Sequence, residues 1–267
     1  MLEESQPPSS PPIVPEERRR LILAMLAERG SVTVGTLEGA FGISSMTARR
    51  DLAILAQEGR LRRTHGGAVL PELASHEDSF RSRLDQETEQ KRRIGRAIAA
   101  STEADETIFV DSSTTSYFAV EHLLELGVPA TLLTNSLPVM SLVSSAESSN
   151  LKMVGLGGLF RELTQSFIGA ETVRAIEGFY ADRVVFSVKG ISAEGFLTDP
   201  TALEAEVKRA MIAQAATVVL VATARKFAAR GLNVIVPARQ VQMAYLADPP
   251  APGARMLAEA GIEIFRV

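Results

Sequence analysis

The sequence predicts an α/β protein with a small helical domain followed by a larger domain built on a mainly parallel sheet. Two observations support this fold class. Within residues 16–70, apolar residues recur at the three- to four-residue spacing of helices. Beyond residue 88, short runs of Val, Ile and Leu alternate with helical patterns, which is typical of βαβ crossovers in a Rossmann-like sheet.

Composition and periodicity divide the chain into four segments. Residues 1–15 hold five of the 13 prolines and are expected to be disordered. A helical domain spans 16–70, a polar linker spans 71–87, and the α/β domain spans 88–267. Strands are predicted at 107–110, 130–133, 151–154, 183–186, 217–221, 233–236, 243–246 and 262–265, all in one sheet.

The helical domain contains the pattern of a helix-turn-helix. A first helix is predicted over 16–29, and a tight turn at 42–44 precedes a further helix. In that helix Ala48, Leu52 and Leu55 form one apolar stripe, whereas Arg49 and Arg50 fall on the opposite face. An arginine-bearing face of this kind suits the major groove of DNA.

A basic hairpin follows the helix-turn-helix. Arg62, Arg63 and His65 precede the dipeptide Gly66-Gly67, which suits a two-residue turn. The pattern predicts a winged helix-turn-helix. Paired arginines are also common on solvated helix faces, so the DNA-binding interpretation depends on the order and spacing of all these features. The predicted DNA-binding residues are Ser45, Thr47, Arg49, Arg50, Arg62, Arg63 and His65.

The charge distribution favours the same interpretation. The chain has a formal net charge of −4, but residues 16–70 carry nine arginines, no lysine and six carboxylates. This segment is therefore basic and the remainder acidic. Because phosphate attraction acts over a Debye length of ~8–10 Å, the local sign matters more than the total.

Several classes of site are excluded or not expected. Cysteine is absent, so there are no disulfides or thiolate sites, and the three histidines show no metal-ligand spacing. We therefore expect no cofactor and no metal. No apolar run of ~18 residues is present and the N-terminus is acidic, so we expect a cytoplasmic protein without a membrane segment, associated with the nucleoid when bound to DNA.

Polar residues follow the predicted strands at the edge where open α/β sheets bind ligands. Residues 111–116 place hydroxyls between a strand and a helix, which is consistent either with an anion site or with simple helix capping. Lys189 and Lys226 follow later strands and suggest a small anionic ligand. Glu204 and Lys208 have the spacing of a surface ion pair, and we assign Lys208 to that structural role.

The helix-turn-helix segment resembles the DeoR family of bacterial transcription regulators. The residues that carry the resemblance are Phe41, Ser44, Thr47, Arg49-Arg50-Asp51-Leu52, Leu55, Gly59 and His65-Gly66-Gly67-Ala68. Ala48 and Thr36-Leu37-Glu38 depart from the usual pattern at positions that affect packing more than contacts.

The resemblance continues through the second domain. Asp111 to Thr115 match the D-x-G-(S/T)-T loop of the DeoR-type sensor domain, with Ser113 where glycine is usual. That domain is similar to ribose-phosphate isomerases and typically senses phosphorylated sugars or their catabolic products. Thr223 stands where the family usually has Asp, and Arg225 where it has Ser or Thr. Together, the strand-end pattern and the resemblance imply ligand-binding roles for Asp111, Ser113, Thr114, Thr115, Asn135, Gly157, Gly158, Lys189, Glu204 and Lys226.

These features predict a repressor of a sugar-catabolism operon that binds double-stranded DNA as a homodimer or homotetramer. A phosphorylated sugar or a related anion would release or modulate it. Two alternatives remain open at this point. One is a sugar-phosphate isomerase with an accessory head, using Asp111, Asp182 or Glu204 as the base. The other is a scaffold that assembles the DNA-binding heads without any ligand.

Overall fold

A computed structural model of the chain describes residues 14–29, 31–58, 60–64, 66–69, 79–146 and 149–267. The chain divides between residues 76 and 77 into two compact units. Most of the predicted disordered tail and much of the predicted linker lie outside the described residues. Pro15, assigned to the tail, is the first residue of a helix.

The N-terminal unit is a three-helix cluster with a small antiparallel sheet. Its elements are α1 (Pro15–Arg29), β1 (Ser31–Thr33), α2 (Val34–Phe41), α3 (Ser45–Gln57), β2 (Arg62–Thr64) and β3 (Gly67–Val69). The strands lie in the order β1-β3-β2. The predicted stripe of Ala48, Leu52 and Leu55 is fully buried against Ile22 and Leu26 of α1, which confirms the predicted inward face of α3.

The wing hairpin has a different turn from the one predicted. Thr64 pairs with Gly67, so Gly67 is part of a strand and does not belong to the turn. The reason is the close approach of β1, which pairs Thr33 with Gly67. A Cβ atom at position 67 would lie 1.9 Å from the carbonyl oxygen of Val32.

The C-terminal unit is built on seven parallel strands. They are β4 (Glu106–Val110), β5 (Ala130–Thr134), β6 (Leu151–Gly155), β9 (Ala181–Phe186), β12 (Ala215–Thr223), β14 (Met243–Ala247) and β15 (Glu263–Arg266). Their order in the sheet is β15-β14-β12-β9-β4-β5-β6, and all pairs are parallel. The strand order therefore reverses between β4 and β9, which is the position where open α/β sheets bind ligands.

Helices cover both faces of this sheet. They are α4 (Phe80–Leu84), α5 (Thr88–Ala100), α6 (Thr114–Leu126), α7 (Leu137–Ser144), α8 (Ala170–Glu177), α9 (Ala202–Ala213) and α10 (Ala251–Glu259). Alternate residues of one strand join different cores. Phe109 packs in one apolar cluster, whereas its neighbours Ile108 and Val110 pack in the other. The predicted α/β class with a mainly parallel sheet is confirmed.

Two predictions for this unit were wrong in detail. The run at 233–236 does not extend the main sheet: it forms β13 (Asn233–Pro237), which pairs with β11 (Phe196–Asp199) in a separate antiparallel sheet completed by β10 (Gly190–Ile191). A second small sheet joins β7 (Leu159–Arg161) to β8 (Ser166–Ile168).

The second difference concerns the predicted linker. Residues 80–84, expected in that linker, form α4, because the ring of Phe80 is buried and packs edge-on against Tyr117.

Candidate functional site

The start of α3 is fixed by two local signals in the sequence. Gly42 ends α2 with a φ of 62°, a conformation that glycine adopts without a steric penalty. Ser44 then caps α3, its hydroxyl accepting a hydrogen bond from the backbone N–H of Thr47 at 3.3 Å. This cap sets the rotation of α3 and therefore which side chains face outward.

The outward face of α3 carries the predicted arginines. Arg49 and Arg50 are exposed on α3. Ser45 is also exposed, and the following residue, Met46, is 78% exposed. Thr47 is less accessible, because its hydroxyl lies 3.0 Å from the Ser44 hydroxyl within the cap. The helix thus presents two free guanidinium-bearing side chains beside a large exposed methionine.

The wing contributes a further exposed cation. Arg62 and Arg63 both lie in β2, and Arg63 is exposed. His65, the third predicted wing residue, lies outside the described residues. The structure therefore brings Arg63 and the α3 arginines into one unit, while leaving the predicted contact of His65 with DNA untested.

One acidic residue within the arginine motif has a structural role that sequence inspection missed. Asp51 is buried, accepts a hydrogen bond from the Nε atom of Arg18 at 2.6 Å, and lies 3.6 Å from Arg19. This ion pair ties α1 to α3. Part of the positive charge counted in residues 16–70 thus stabilises the domain and is not available to a ligand.

In the C-terminal unit, a cavity of about 70 Å³ opens at the carboxyl ends of β4, β9 and β12. Six cationic side chains line it: Arg83, Lys91, Lys189, Lys208, Arg225 and Lys226. The lining also includes the carboxylates of Glu87, Asp199 and Glu204 and the hydroxyls of the segment 112–115. The cavity occupies the reversal of strand order, as expected for a ligand site of this fold class.

Asp111 lies beneath the cavity and organises its floor. Its carboxylate accepts hydrogen bonds from the Ser116 hydroxyl at 2.6 Å, the Ser187 backbone N–H at 3.0 Å and the Ser113 backbone N–H at 3.1 Å. The side chain is buried and joins the loop after β4 to the loop after β9. These contacts indicate a positioning role and leave little of the carboxylate free for a ligand.

The hydroxyl-rich turn before α6 both caps this helix and lines the cavity. Ser113 caps α6, accepting from the Ser116 backbone N–H at 3.1 Å, so its hydroxyl is committed to the helix. Ser112, Thr114 and Thr115 are buried in the structure and line the cavity. The positive end of a 13-residue helix therefore faces the cavity.

The interpretation of Lys208 as half of a surface pair with Glu204 was wrong. The Lys208 ammonium lies 2.7 Å from Asp199 and 3.4 Å from Asp111, and donates to the carbonyl oxygen of Ser187 at 2.7 Å. Burial opposes its charge, but these two carboxylates outweigh burial and raise the pKa of Lys208 above its usual range. Glu204 instead pairs with Arg161 at 2.9 Å.

A cationic wall closes the opposite side of the cavity. Lys226 lies in a 3-10 turn (Ala224–Ala228) that follows β12. Burial, assisted by the nearby charges of Arg83 and Lys208, lowers the pKa of Lys226 to about 7. Burial likewise lowers the pKa of Lys91 to about 8.

The segment that sequence analysis treated as a linker supplies much of this wall. Arg83, Gln86 and Glu87 of this segment line the cavity, as does Lys91 of α5, and none of the four was predicted to do so. Glu87 accepts a hydrogen bond from Thr223 at 2.7 Å, and Arg225 donates to the side-chain oxygen of Gln86. Thr223 and Arg225, which depart from the usual family residues at these positions, thus hold this segment against the end of β12.

Several predicted ligand residues do not line the cavity. Asn135 donates to the Phe167 carbonyl oxygen at 2.8 Å, and Gly158 packs against Thr172, whose Oγ1 atom a Cβ at position 158 would approach to 2.0 Å. Gly157 also lies outside the lining. Asp182, considered above as a base, accepts from the Thr107 backbone N–H at the opposite end of the sheet.

In the part of the chain that the structure describes, no group of three or more His, Asp or Glu side chains could hold a metal ion. No described helix is long and apolar enough to cross a membrane.

Comparison with protein families gives two matches that together span most of the chain. Residues 18–73 match the DeoR-like helix-turn-helix domain, and residues 86–245 match the DeoR C-terminal sensor domain. The chain belongs to the DeoR family. The exposed arginines of α3 therefore lie in a DNA-binding domain of this family, and the cavity lies in its sensor domain.

Several curated relatives of this DeoR-family protein are named as transcriptional repressors. The glycerol-3-phosphate regulon repressor of Escherichia coli (strain K12) is 32% identical over 233 residues, which are 86% of this chain and 90% of the relative. The repressor CsqR of the same organism is 30% identical over 91% of this chain and 92% of its own. The repressor GlcR of Bacillus subtilis (strain 168) is 30% identical over 75% of this chain and 76% of its own length.

Among solved structures, ribose 5-phosphate isomerase A from Neisseria gonorrhoeae overlaps 53% of this chain and 54% of its own, with a TM-score of 0.39 and 14% identity. This overlap is too distant to bear on activity. The family and its named relatives indicate a DNA-binding transcriptional regulator and not an enzyme.

Proposed function

We propose that this protein represses a sugar-catabolism operon by binding its operator through α3 and the wing, and that a small phosphorylated sugar bound in the cavity controls this binding. The observation that carries the proposal is the coexistence of an arginine-bearing α3 and a cationic cavity in one chain of a repressor family. The repressors of the glycerol-3-phosphate regulon and GlcR support the link to sugar metabolism.

On the DNA side, Arg49 and Arg50 are proposed to enter the major groove. Their side chains are exposed on the face opposite the buried stripe, so they can reach base edges without rearrangement of the core. Ser45 and Thr47 lie in the first turn of α3 and are proposed to contact phosphates or base edges. Arg62, Arg63 and His65 are proposed to contact the adjacent backbone or minor groove.

On the effector side, the phosphate is proposed to bind at the N-terminus of α6. Backbone N–H groups and hydroxyls at a helix N-terminus favour an anion, and Ser112, Thr114 and Thr115 line the cavity there. The hydroxyl of Ser187, which also lines the cavity, is buried without a hydrogen-bond partner among the described residues. Lys189, from the loop after β9, adds a positive charge.

We further propose that the regulator is a homodimer or homotetramer that acts in the cytoplasm, at the nucleoid when bound to DNA. A two-fold symmetric operator requires an even number of heads. Exposed apolar side chains on the two small antiparallel sheets support self-association, among them Leu159, Phe160, Phe196 and Val234. Sedimentation of the purified protein measures the oligomeric state.

The test of the DNA-binding face uses substitutions on α3. Replacing Arg49 or Arg50 by Ala is expected to weaken operator binding, and loss of the base-reading arginine costs ~1–3 kcal/mol and relaxes specificity at one base pair. Fluorescence anisotropy with the operator and its single-base variants measures both effects. The matched control is Arg20→Ala, since Arg20 is exposed on α1 and paired with Glu17. Wild-type affinity and specificity in both α3 variants would show that another face docks on DNA.

A further inference from the structure

The cavity has two walls of different chemistry. On one side lie the N-terminus of α6 and the hydroxyls of Ser112, Thr114 and Thr115, next to the end of β4. On the other side lie Arg225 and Lys226, which follow the end of β12, and Arg83 of α4 lies near Lys226. One strand, β9, separates β4 from β12 in the sheet. At a strand spacing of ~4.8 Å, the two strand ends are about 10 Å apart.

The carboxylates near the cavity do not neutralise the second wall. Asp111 and Asp199 both pair with Lys208, and Glu204 pairs with Arg161, which does not line the cavity. Among the described residues that line the cavity, Glu87 is the remaining carboxylate, and it is shared between the hydroxyl of Thr223 and the charge of Lys91. The second wall therefore keeps an excess of positive charge.

Two of its cations have donors available to a ligand. The Nε and Nη2 atoms of Arg83 are buried and have no hydrogen-bond partner among the described residues. Lys226 forms no ion pair with any carboxylate of the described residues, although it is partly buried and lies near Arg83 and Lys208. Buried donors of this kind are costly without an acceptor, which an anionic ligand group would provide.

We propose that the second wall is a separate anion subsite, formed by Arg83 and Lys226 with Arg225 beside them, so that the effector carries two anionic groups at opposite ends of a short carbon chain. The ligand class is a sugar bisphosphate or a phosphorylated sugar acid. This inference rests on the proposed function, because it assigns the first anion to the N-terminus of α6. Arg83 is the specificity-determining residue, since its guanidinium offers two adjacent donors that match a phosphate or a carboxylate.

The experiment is calorimetric titration of the full-length protein with matched pairs of probes. The pairs are fructose 6-phosphate with fructose 1,6-bisphosphate, and glucose 6-phosphate with 6-phosphogluconate, with inorganic phosphate as a further probe. In at least one pair the compound with the second anionic group is expected to bind ~10-fold or more tightly, as expected for a charge-assisted contact. Arg83→Gln should reduce that preference to about 2-fold or less and leave the affinity of the singly phosphorylated compound within about 2-fold.

Two variants serve as controls. Arg81→Gln removes an exposed arginine from the same helix without touching the cavity lining, and should retain the preference. Arg83→Lys keeps the charge and should retain part of the preference, which separates loss of the subsite from loss of folding.

The outcomes distinguish this inference from the proposed function. Equal affinities within both pairs, or a preference that Arg83→Gln does not change, would overturn the second subsite and leave a singly phosphorylated effector. Absence of binding by every probe, inorganic phosphate included, would overturn both the subsite and the proposed effector.

Discussion

At the scale of single residues, Lys208 decides the architecture of the cavity floor. Its ammonium contacts Asp111 after β4, Asp199 at the end of β11 and the carbonyl oxygen of Ser187 after β9. Three loops are thus joined through one charged group. Removing the charge would leave two buried carboxylates facing each other without a counterion.

We therefore expect Lys208→Met to be strongly destabilising. Removing one partner of a buried ion pair costs about 3–5 kcal/mol, because the remaining charge keeps its desolvation penalty. Urea unfolding followed by circular dichroism measures the change in the free energy of unfolding. The matched substitution Lys152→Met, at an exposed position of β6, should change it by no more than about 0.5 kcal/mol. Equal stabilities of the two variants would show that Lys208 is not needed for the floor.

At the scale of elements, the wing hairpin depends on the contact between β1 and β3. Thr33 pairs with Gly67 across the small sheet, and the absence of a side chain at position 67 permits the approach of Val32. Gly66, the preceding residue, has open space where its Cβ would lie. The two adjacent glycines of the motif therefore have different physical roles.

This difference gives a paired prediction for the wing. Gly67→Ala forces a Cβ into the backbone of β1 and should destabilise the N-terminal unit by about 1–3 kcal/mol, with weaker binding to DNA. Gly66→Ala should have a much smaller effect on both properties. Thermal unfolding and anisotropy with one DNA duplex measure them together. If the two variants behave alike, the close packing of β1 on β3 is not what requires glycine.

The elements differ in how far the sequence predicts them. The buried stripe of α3 and the parallel strands were predicted because their periodicity is local. Residues 80–87 were not, because Arg83 and Gln86 show no periodic pattern, and this segment is held at the cavity by the packing of Phe80 and the contacts to Thr223 and Arg225. The partners of Lys208 are likewise distant in sequence, whereas the i,i+4 spacing to Glu204 suggested a false pair.

At the scale of the whole molecule, effector and operator must influence each other reciprocally. If a sugar phosphate lowers operator affinity, operator DNA lowers the affinity for the sugar phosphate by the same factor, with a coupling free energy of typically ~1–3 kcal/mol. The cationic cavity is the proposed effector site, and the arginines of α3 form the proposed operator site, between which this coupling is expected.

We conclude that the protein is a sequence-specific DNA-binding regulator. The most direct measurement is fluorescence anisotropy of the purified protein with DNA from upstream of its own gene and with a scrambled duplex of the same composition, at ~150 mM salt. We predict a preference of ~10³ or more for the upstream DNA. Equal, weak and salt-sensitive binding to both duplexes would contradict the claim, since it would reduce the head to a non-specific basic surface.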